Sequence, residues 1–412
     1  MMKRFLFAGA SVILLALLAT GCPGKKDSGS GTVKLEFYNQ KEQLPLFFED
    51  LAKTFAEKNP GIEIEVVSPP DSETALFARV STGDVPDIIH LWPAEPPYKD
   101  MMEEGYLLDL TGQEFLKRAM PEYLEMSNYK GKSYAMPTTI SAYGLWYNKD
   151  LFEKYNLAPP ASFDELLAVS KAFKDNGIQA FAFQDKNPAQ EFERLIGVTN
   201  PDITAVIERI AREETSFTRE PEARALAEAM LAIREYGQAD TLGTDGSQAR
   251  TDFLNQKAAM YTNGSWMMAD LKNFPGLRLE LIPYPNPIRG APSKMPINID
   301  IAYSLRADMS DRETEWGLKF IDFLTSPEIA QALADFEGGP CVVLSVKQDT
   351  PELKVVMEQI AKRNTFLTVL NFWKPGLRPA WVPAVQDMLM TGDVGAFIGA
   401  SDRLIKTVYT SN

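Results

Sequence analysis

The sequence predicts an α/β protein in which mostly parallel sheets are covered by helices on both faces. Three observations lead to this prediction. Strand-like and helix-like patterns alternate from residue 33 onwards, the predicted strands are short, with the one at 87–92 nearly all apolar, and the first helix between them has one apolar face. With 45% apolar and 24% charged residues among 412, the composition is that of a globular protein with a sizeable core.

The first hundred residues have the pattern of a β-α-β-α-β unit. Phe47, Leu51 and Phe55 lie four apart and predict one buried helix face, which Asn59-Pro60-Gly61 ends. The predicted elements are a strand at 33–37, a helix at 44–58, a strand at 62–67, a helix at 73–82 and a strand at 87–92. In such sheets ligands bind beyond the carboxyl ends of the strands, here at residues 38–42, 68–73 and 92–98.

A second unit begins near Leu145. Ser162 and Glu165 form a capping box that predicts a helix reaching Gly177, and a strand is expected at residues 179–183. Ser326-Pro327 is another predicted helix start, because a capping residue precedes a proline of the first turn. We therefore expect two α/β lobes.

The first residues predict export. Lys3 and Arg4 precede an apolar run at residues 5–19, and small residues follow, so residues 1–21 are interpreted as a secretory signal peptide. Gly21-Cys22 resembles the lipobox of bacterial lipoproteins, although Ala19 stands where leucine is usual. This resemblance implies a lipid on Cys22, with 22–32 as a flexible tether. The alternative is a secreted protein with an incidental cysteine.

Charge and cysteine content limit the partners. Removing residues 1–21 removes Lys3 and Arg4 and changes the formal net charge from −14 to −16. Such an acidic surface argues against nucleic acid as a ligand, and a solvated exterior explains it without any binding role. If Cys22 carries lipid, Cys341 has no partner for an internal disulfide, so the fold depends on its core alone.

Few residues favour catalysis. The one histidine, His90, lies within an apolar strand and is interpreted as a packed residue. Its isolation excludes histidine-containing catalytic triads and the H-E-x-x-H zinc motif. No P-loop or dinucleotide-binding glycine pattern occurs, and we expect neither a cofactor nor a metal centre. A glycosidase that uses only carboxylates and a dispersed calcium site both stay open.

Six segments, in order along the chain, resemble the family 1 extracellular solute-binding proteins of carbohydrate ABC importers, which are similar to maltose-binding protein. The central ones are Tyr134-Ala135-Met136-Pro137 and Gly144-Leu145-Trp146-Tyr147-Asn148-Lys149-Asp150-Leu151-Phe152. The others lie at 83–89, 162–166, 257–266 and 320–329.

The resemblance implies a two-lobed periplasmic-binding-protein type II fold joined by a multi-strand hinge. It places one lobe at residues 33–140 and 292–342 and the other at 141–291 and 343–412. Chain crossings are expected near 139–142, 288–294 and 340–344. The implied function is that of an importer subunit that closes around a sugar and delivers it to permease subunits. Such a protein is expected to be a monomer anchored on the extracytoplasmic face, either periplasmic or at the cell surface.

Aromatic and polar residues near strand ends are the candidates for contact with a sugar. Aromatic faces cover the C–H surfaces of a pyranose, and short polar side chains match its hydroxyl groups. The aromatic candidates are Trp92, Tyr143, Trp266 and Trp373. For each of them, the alternative to contact with a sugar is packing in the core. The polar candidates are Gln40, Ser72, Glu73, Glu95, Gln184, Asn263 and Asp300. Glu73 could instead cap a helix, and Asp300 could face solvent from an ordinary strand.

The sequence is compatible with three functions. The leading one is an importer receptor, and four aromatic platforms favour an oligosaccharide over a monosaccharide as its ligand. The second is a secreted carbohydrate-active enzyme that works with two carboxylates. The third is a subunit that reports a bound sugar to a membrane kinase.

Overall fold

The computed structural model describes residues 31–374 and 376–410, which form two α/β lobes. The α/β class predicted from the sequence is confirmed. The proposed signal peptide, the lipidated Cys22 and the tether up to Ser30 lie outside the described residues. Within the described ranges, no helix combines the length and the hydropathy needed to cross a bilayer.

Strands and helices alternate along both lobes. The strands are β1 Val33–Tyr38, β2 Ile62–Val67, β3 Ile88–Leu91, β4 Asn128–Tyr129, β5 Lys132–Ser133, β6 Met136–Asn148, β7 Gln179–Ala182, β8 Ala258–Gly264, β9 Leu279–Ile282, β10 Met295–Leu305 and β11 Thr365–Leu367. The helices are α1 Pro45–Lys58, α2 Ser72–Val80, α3 Pro96–Glu103, α4 Pro121–Met126, α5 Lys149–Lys154, α6 Phe163–Asp175, α7 Ala189–Thr199, α8 Ile203–Ala211, α9 Pro221–Arg234, α10 Gly246–Leu254, α11 Met268–Leu271, α12 Asp311–Leu324, α13 Pro327–Glu337, α14 Lys354–Ala361, α15 Leu377–Thr391 and α16 Val394–Thr410.

The first lobe is built on β1, which runs parallel to both β2 and β3. The β-α-β-α-β pattern predicted from the sequence is confirmed here. Helix α1 buries Phe48, Leu51 and Phe55, and Phe48 meets Phe37 of β1 edge to face at 5.1 Å. Helix α12 closes the same core with Phe320, 5.8 Å from Phe37. These aromatic contacts hold the carboxyl end of β1 in place.

Two long strands make the sheet mixed rather than mostly parallel. Strand β10 runs antiparallel to both β3 and β6, and β6 runs antiparallel to β8 and β9. Residues 136–142 of β6 pair with β10, whereas residues 143–148 pair with β8 and β9. Strand β6 therefore carries the chain from the first lobe to the second. Gly144 lies at this passage, where a Cβ would overlap the carbonyl of Ile282 in β9.

The second lobe surrounds β7, β8 and β9. The predicted capping box is confirmed, because Ser162 accepts a hydrogen bond from the Glu165 amide and Glu165 reaches back to the start of α6. The core of this lobe contains Phe192 from α7 and Trp381 from α15, whose rings lie 5.4 Å apart. Helix α7 is thereby fixed against α15, and both helices contribute residues to the cavity described next.

Candidate ligand-binding site

A cavity of about 370 Å³ lies between the two lobes. The first lobe contributes the loop after β1, the start of α2 and the loop after β3. The second lobe contributes Tyr143 of β6, Arg194 of α7, Trp266 and Arg378 of α15. We call it the central cavity. Its position beyond the carboxyl ends of β1 and β3 is the one predicted for ligands of such sheets.

One wall of the central cavity is aromatic. Tyr143 and Trp266 are stacked, with ring centroids 6.2 Å apart and an interplanar angle of 29°. The guanidinium of Arg194 lies 4.8 Å from the Tyr143 ring and 5.1 Å from the Trp266 ring. A Cβ on Gly264 would overlap the Trp266 indole, so this glycine makes room for the ring. The result is a rigid apolar surface with a positive charge over it.

The opposite wall belongs to the first lobe. Trp92 follows β3 and is half-buried, with its ring 6.0 Å from Tyr98. Gln40 is held in three ways: its side-chain amide donates to the His90 carbonyl, its side-chain oxygen accepts from Tyr98, and its backbone amide donates to His90 Nδ1. Because every one of these groups is partnered, this wall is ordered before any ligand arrives.

Two carboxylates, Glu73 and Glu95, face two guanidinium groups across the central cavity. Burial raises the pKa of Glu95 to about 7, and the charge of Glu73 adds to the effect, against the opposing charges of Arg378 and Arg194. Burial likewise raises the pKa of Glu73, and Arg378 opposes it. Glu95 accepts a hydrogen bond of 3.1 Å from Asn298. Arg378 pairs at 2.8 Å with Glu193, a buried carboxylate of the second lobe.

A buried ion network forms the floor. The Lys41 amine donates to Asp300 Oδ2 at 2.7 Å and lies 2.9 Å from Glu337 Oε1. Burial alone would favour the neutral amine, but the attraction of Asp300 and Glu337 outweighs it and raises the pKa of Lys41. His90 Nε2 lies 2.9 Å from the Asp300 carbonyl oxygen, and since Nδ1 accepts from Gln40 we assign the proton to Nε2. Burial lowers the pKa of His90 to about 4, so the ring is neutral.

The structure brings most of the candidate residues together. Those that line the central cavity are Gln40, Ser72, Glu73, Trp92, Glu95, Tyr143, Trp266 and Asp300. Glu73 lies in the first turn of α2, where a carboxylate is favourable, but the helix has no side-chain capping hydrogen bond at its N-cap, Asp71. Asp300 is buried and paired with Lys41, so the solvent-facing alternative does not apply to it. Contact of these eight with a ligand stays a prediction.

Three candidates do not line the central cavity. Trp373 is 3% exposed, and its ring packs 5.0 Å from Trp381 in the core of the second lobe. It therefore has the place in the core that was the alternative to contact with a sugar. Gln184 accepts a hydrogen bond from the Tyr261 hydroxyl. Asn263 is buried and accepts from the Gly264 amide, so it shapes the turn that presents Trp266.

Other lining residues were not among the candidates. Arg194 lies on α7 and Arg378 at the start of α15, and no sequence pattern marks either residue. Asn298 and Lys41 could have been found: Asn298 lies two residues before Asp300 in an alternating strand, and Lys41 follows Gln40 in a loop predicted to bind ligand.

Glu95 is expected to make stability depend on pH. The pKa of Glu95 is about 7 in the folded protein, above the ordinary value of 4.5. Between pH 4.5 and pH 7 the folded protein therefore keeps a proton on Glu95 that the unfolded chain has lost. The contribution of Glu95 to folded-state stability is therefore fully present below about pH 4.5 and is lost as the pH rises through 7. We expect the free energy of unfolding to fall by roughly 1 to 3 kcal/mol between pH 5 and 8.

Urea denaturation of ligand-free protein at pH 5, 6, 7 and 8 measures this dependence. Glu95→Gln keeps the acceptor for Asn298 but cannot ionise, so its stability should fall less steeply. Some slope will persist, because burial also raises the pKa of Glu193 and of Glu337 to about 7. A variant as steep as the parent protein would show that Glu95 is already charged at pH 5.

A family model described as bacterial extracellular solute-binding protein matches residues 50–364. The chain is 26% identical over 357 residues to the multiple sugar-binding protein of Streptococcus mutans, and the match covers 82% of each protein.

Solved structures show the same architecture. RafE of Streptococcus pneumoniae, solved in complex with raffinose, matches with a TM-score of 0.80 at 23% identity over 92% of this chain and 100% of that one. A Bacillus licheniformis sugar transporter protein in complex with stachyose matches with a TM-score of 0.74 at 19% identity, over 92% and 99%. These likenesses show the fold, and they agree with the two-lobed architecture expected from the sequence.

Proposed function

The chain belongs to the bacterial extracellular solute-binding proteins, because the model of that family covers well over half of it, and on this premise we propose that it is the sugar-binding component of an ABC importer. The observation that carries the proposal is the central cavity itself. The stacked Tyr143 and Trp266 lie on the wall of one lobe, and Trp92 with Glu73 and Glu95 on the wall of the other. The relatives described above support it, since one is named for binding several sugars and two structures contain raffinose or stachyose.

The composition of the walls suits a neutral polyol. A pyranose offers apolar C–H faces to Tyr143, Trp266 and Trp92, and its hydroxyl groups can donate to carboxylates and accept from guanidinium groups. Hydrogen bonds to charged groups contribute about 1.5 to 3 kcal/mol each. A micromolar dissociation constant corresponds to about 8 kcal/mol, so a few such bonds together with ring contacts are sufficient.

Closure of the two lobes follows from the same geometry. A sugar that contacts Glu95 of the first lobe and Arg194 of the second does so only when the lobes are together, so binding favours the closed state. We assign the first lobe to residues 33–140 and 292–342 and the second to 141–291 and 343–412. One adjustment is supported by the contacts: the Leu344 amide donates to the Arg118 carbonyl, so residues 343–346 pack with the first lobe.

The extracytoplasmic placement agrees with the family, and a lipid on Cys22 is part of the proposal. An anchored receptor would deliver its sugar to the permease subunits while it stays near the membrane. A kinase-linked sensor would bind the same sugar and differ only in its partner. Copurification with permease subunits supports the importer assignment, and copurification with a kinase instead contradicts it.

Binding without turnover is the expected result that tests this function. Isothermal titration of the protein with raffinose, stachyose and maltotriose should give one site per chain for at least one of them. A sugar at about 100 times its dissociation constant should add roughly 2.7 kcal/mol of stability. Chromatography of the sugar after prolonged incubation should return it unchanged. Recovery of shortened sugar would instead favour an enzyme that uses Glu73 and Glu95 as its carboxylate pair.

A further inference from the structure

A second cavity, of about 430 Å³, lies beside the central one and is also formed by both lobes. We call it the outer compartment. Its first-lobe side is formed by Glu42, Gln43 and Phe336, and its second-lobe side includes Arg250, Asp270, Lys272 and Asn273. Most of these residues do not line the central cavity.

The two cavities are neighbours with a polar boundary. Among the described residues, only Glu42 and Gln43 line both. They form the turn between β1 and α1, which the Leu44 amide closes by donating to the Lys41 carbonyl at 3.0 Å. Glu42 is exposed and Gln43 half-buried, and in the described chain neither side chain makes a hydrogen bond or ion pair. The boundary therefore includes two side chains that can reorient around a ligand.

The outer compartment has an aromatic ring. Phe336 is 39% exposed, unlike the aromatic residues of the two cores, although one side of its ring contacts Phe47 at 5.0 Å. The Lys272 amine lies 4.2 Å from the centre of the Phe336 ring and donates to the Asp335 carbonyl at 3.2 Å. Lys272 is itself exposed, so an incoming ligand can displace it from the ring.

The same compartment has a carboxylate. Asp270 pairs with the Arg250 guanidinium at 3.5 Å, its side chain is 24% exposed, and its Oδ2 receives no hydrogen bond from any described residue. The exposed part of the carboxylate can therefore accept a hydrogen bond from a ligand hydroxyl. The amides of Gln43 and Asn273 are further hydrogen-bonding groups of the compartment. A ring, a carboxylate and amides are the groups that recognise a neutral sugar.

We propose that the outer compartment is a second sugar subsite, occupied by the further units of an oligosaccharide whose first units lie in the central cavity. This proposal rests on the proposed function and adds to it a preference for chain length. The added unit places a C–H face against Phe336 and a hydroxyl on the exposed part of the Asp270 carboxylate, and the connecting unit passes Glu42 and Gln43. Because both lobes line the compartment, the longer sugar also adds contacts that exist only in the closed state.

The experiment compares sugars that differ by one unit. Sucrose, raffinose and stachyose form one neutral series, and maltose, maltotriose and maltotetraose form another. In the series that binds, we expect the longest member to bind about tenfold or more tightly than the shortest. Phe336→Ala and Asp270→Asn should each reduce that gain to about threefold or less, while the affinity for the shortest member is unchanged.

Phe372 offers a matched control. It is 50% exposed and has the Lys99 amine 5.2 Å from its ring, as Phe336 has Lys272, but it lines neither cavity. Phe372→Ala should keep the full gain with length. Thermal unfolding of every variant checks that it is folded, and Asp270→Asn keeps the test valid if Phe336→Ala fails to fold.

The outcomes separate the two proposals. If neither series binds, the proposed function fails and the subsite with it. If sugars bind but the affinity does not rise with length, the function stands and the subsite is overturned. The subsite is also overturned if Phe336→Ala weakens short and long members equally, or if Phe372→Ala removes the gain as well.

Discussion

Replacing Trp266 by alanine is expected to lower the affinity for the sugar about 100-fold, which corresponds to roughly 2.7 kcal/mol. The indole is half-buried at the wall of the central cavity and stacks on Tyr143 at 6.2 Å. Truncation removes the ring surface that would cover the sugar and leaves Arg194 without one of its two aromatic neighbours. Isothermal titration with the sugar that binds the parent protein measures the loss.

Trp316 provides the control for this prediction. It is half-buried on α12, where its ring meets Phe55 edge to face at 6.3 Å, and it does not line the central cavity. Trp316→Ala should lower the thermal stability while the affinity stays that of the parent protein. The stacking role of Trp266 would be refuted by a Trp266→Ala protein that binds normally, or by a Trp316→Ala protein that loses as much affinity.

The elements of the first lobe could be predicted because their signals are local. The spacing of Phe47, Leu51 and Phe55 predicted helix α1, although the structure buries Phe48 and leaves Phe47 half-buried. Asn59-Pro60-Gly61 ends that helix, and strand β2 was predicted with its observed bounds. Ser162 and Glu165 act within four residues of each other, so their capping box is also visible in the sequence. The positions of strand ends then follow, and with them the loops that line the central cavity.

The mixed sheet could not be predicted in the same way, because pairing joins distant residues. Strand β10 pairs with β3 and β6, and nothing in its own sequence shows that it runs antiparallel to both. Asp300 illustrates the limit. Ile299 faces Ile140 and Ile301 faces Thr139, so Asp300 is the extra residue of a β-bulge. The alternating sequence around it gives no indication of this irregularity.

Individual tryptophans were the least predictable residues. Trp266 follows Asn263-Gly264-Ser265 and Trp373 follows Asn371-Phe372, yet one lines the central cavity and the other packs on Trp381. The difference lies in tertiary contacts: Gly264 leaves space for one ring, whereas α15 covers the other. These contacts form only in the folded chain, so the sequence alone could not separate the two tryptophans.

Replacing Lys41 by methionine is expected to lower the free energy of unfolding by about 3 to 5 kcal/mol at neutral pH. Lys41, Asp300 and Glu337 are all nearly inaccessible, with side-chain exposures of 7%, 10% and 3%. Methionine fills similar space but leaves two buried carboxylates without their counter-charge. Urea denaturation at pH 7 measures the change.

Lys34→Met is the matched control for this substitution. Lys34 pairs with Glu63 at 2.8 Å, but their side chains are 73% and 58% exposed. Solvent screens exposed pairs of this kind and they contribute little, so the control should lose little stability. Equal losses in the two variants would mean that burial of the Lys41 network does not matter.

The pH dependence of the Lys41→Met protein distinguishes uncompensated charge from lost packing. In the parent protein Lys41 lowers the pKa of Asp300 against the effect of burial, whereas burial and the charge of Asp300 hold the pKa of Glu337 at about 7. Without the amine, burial raises both values above those of the unfolded chain. The folded variant then gains stability as pH falls, and its deficit relative to the parent should shrink from pH 8 to pH 5. A deficit that is the same at both pH values would assign the loss to packing, and Lys41→Met combined with Asp300→Asn and Glu337→Gln should recover stability at pH 8 only if charge is the cause.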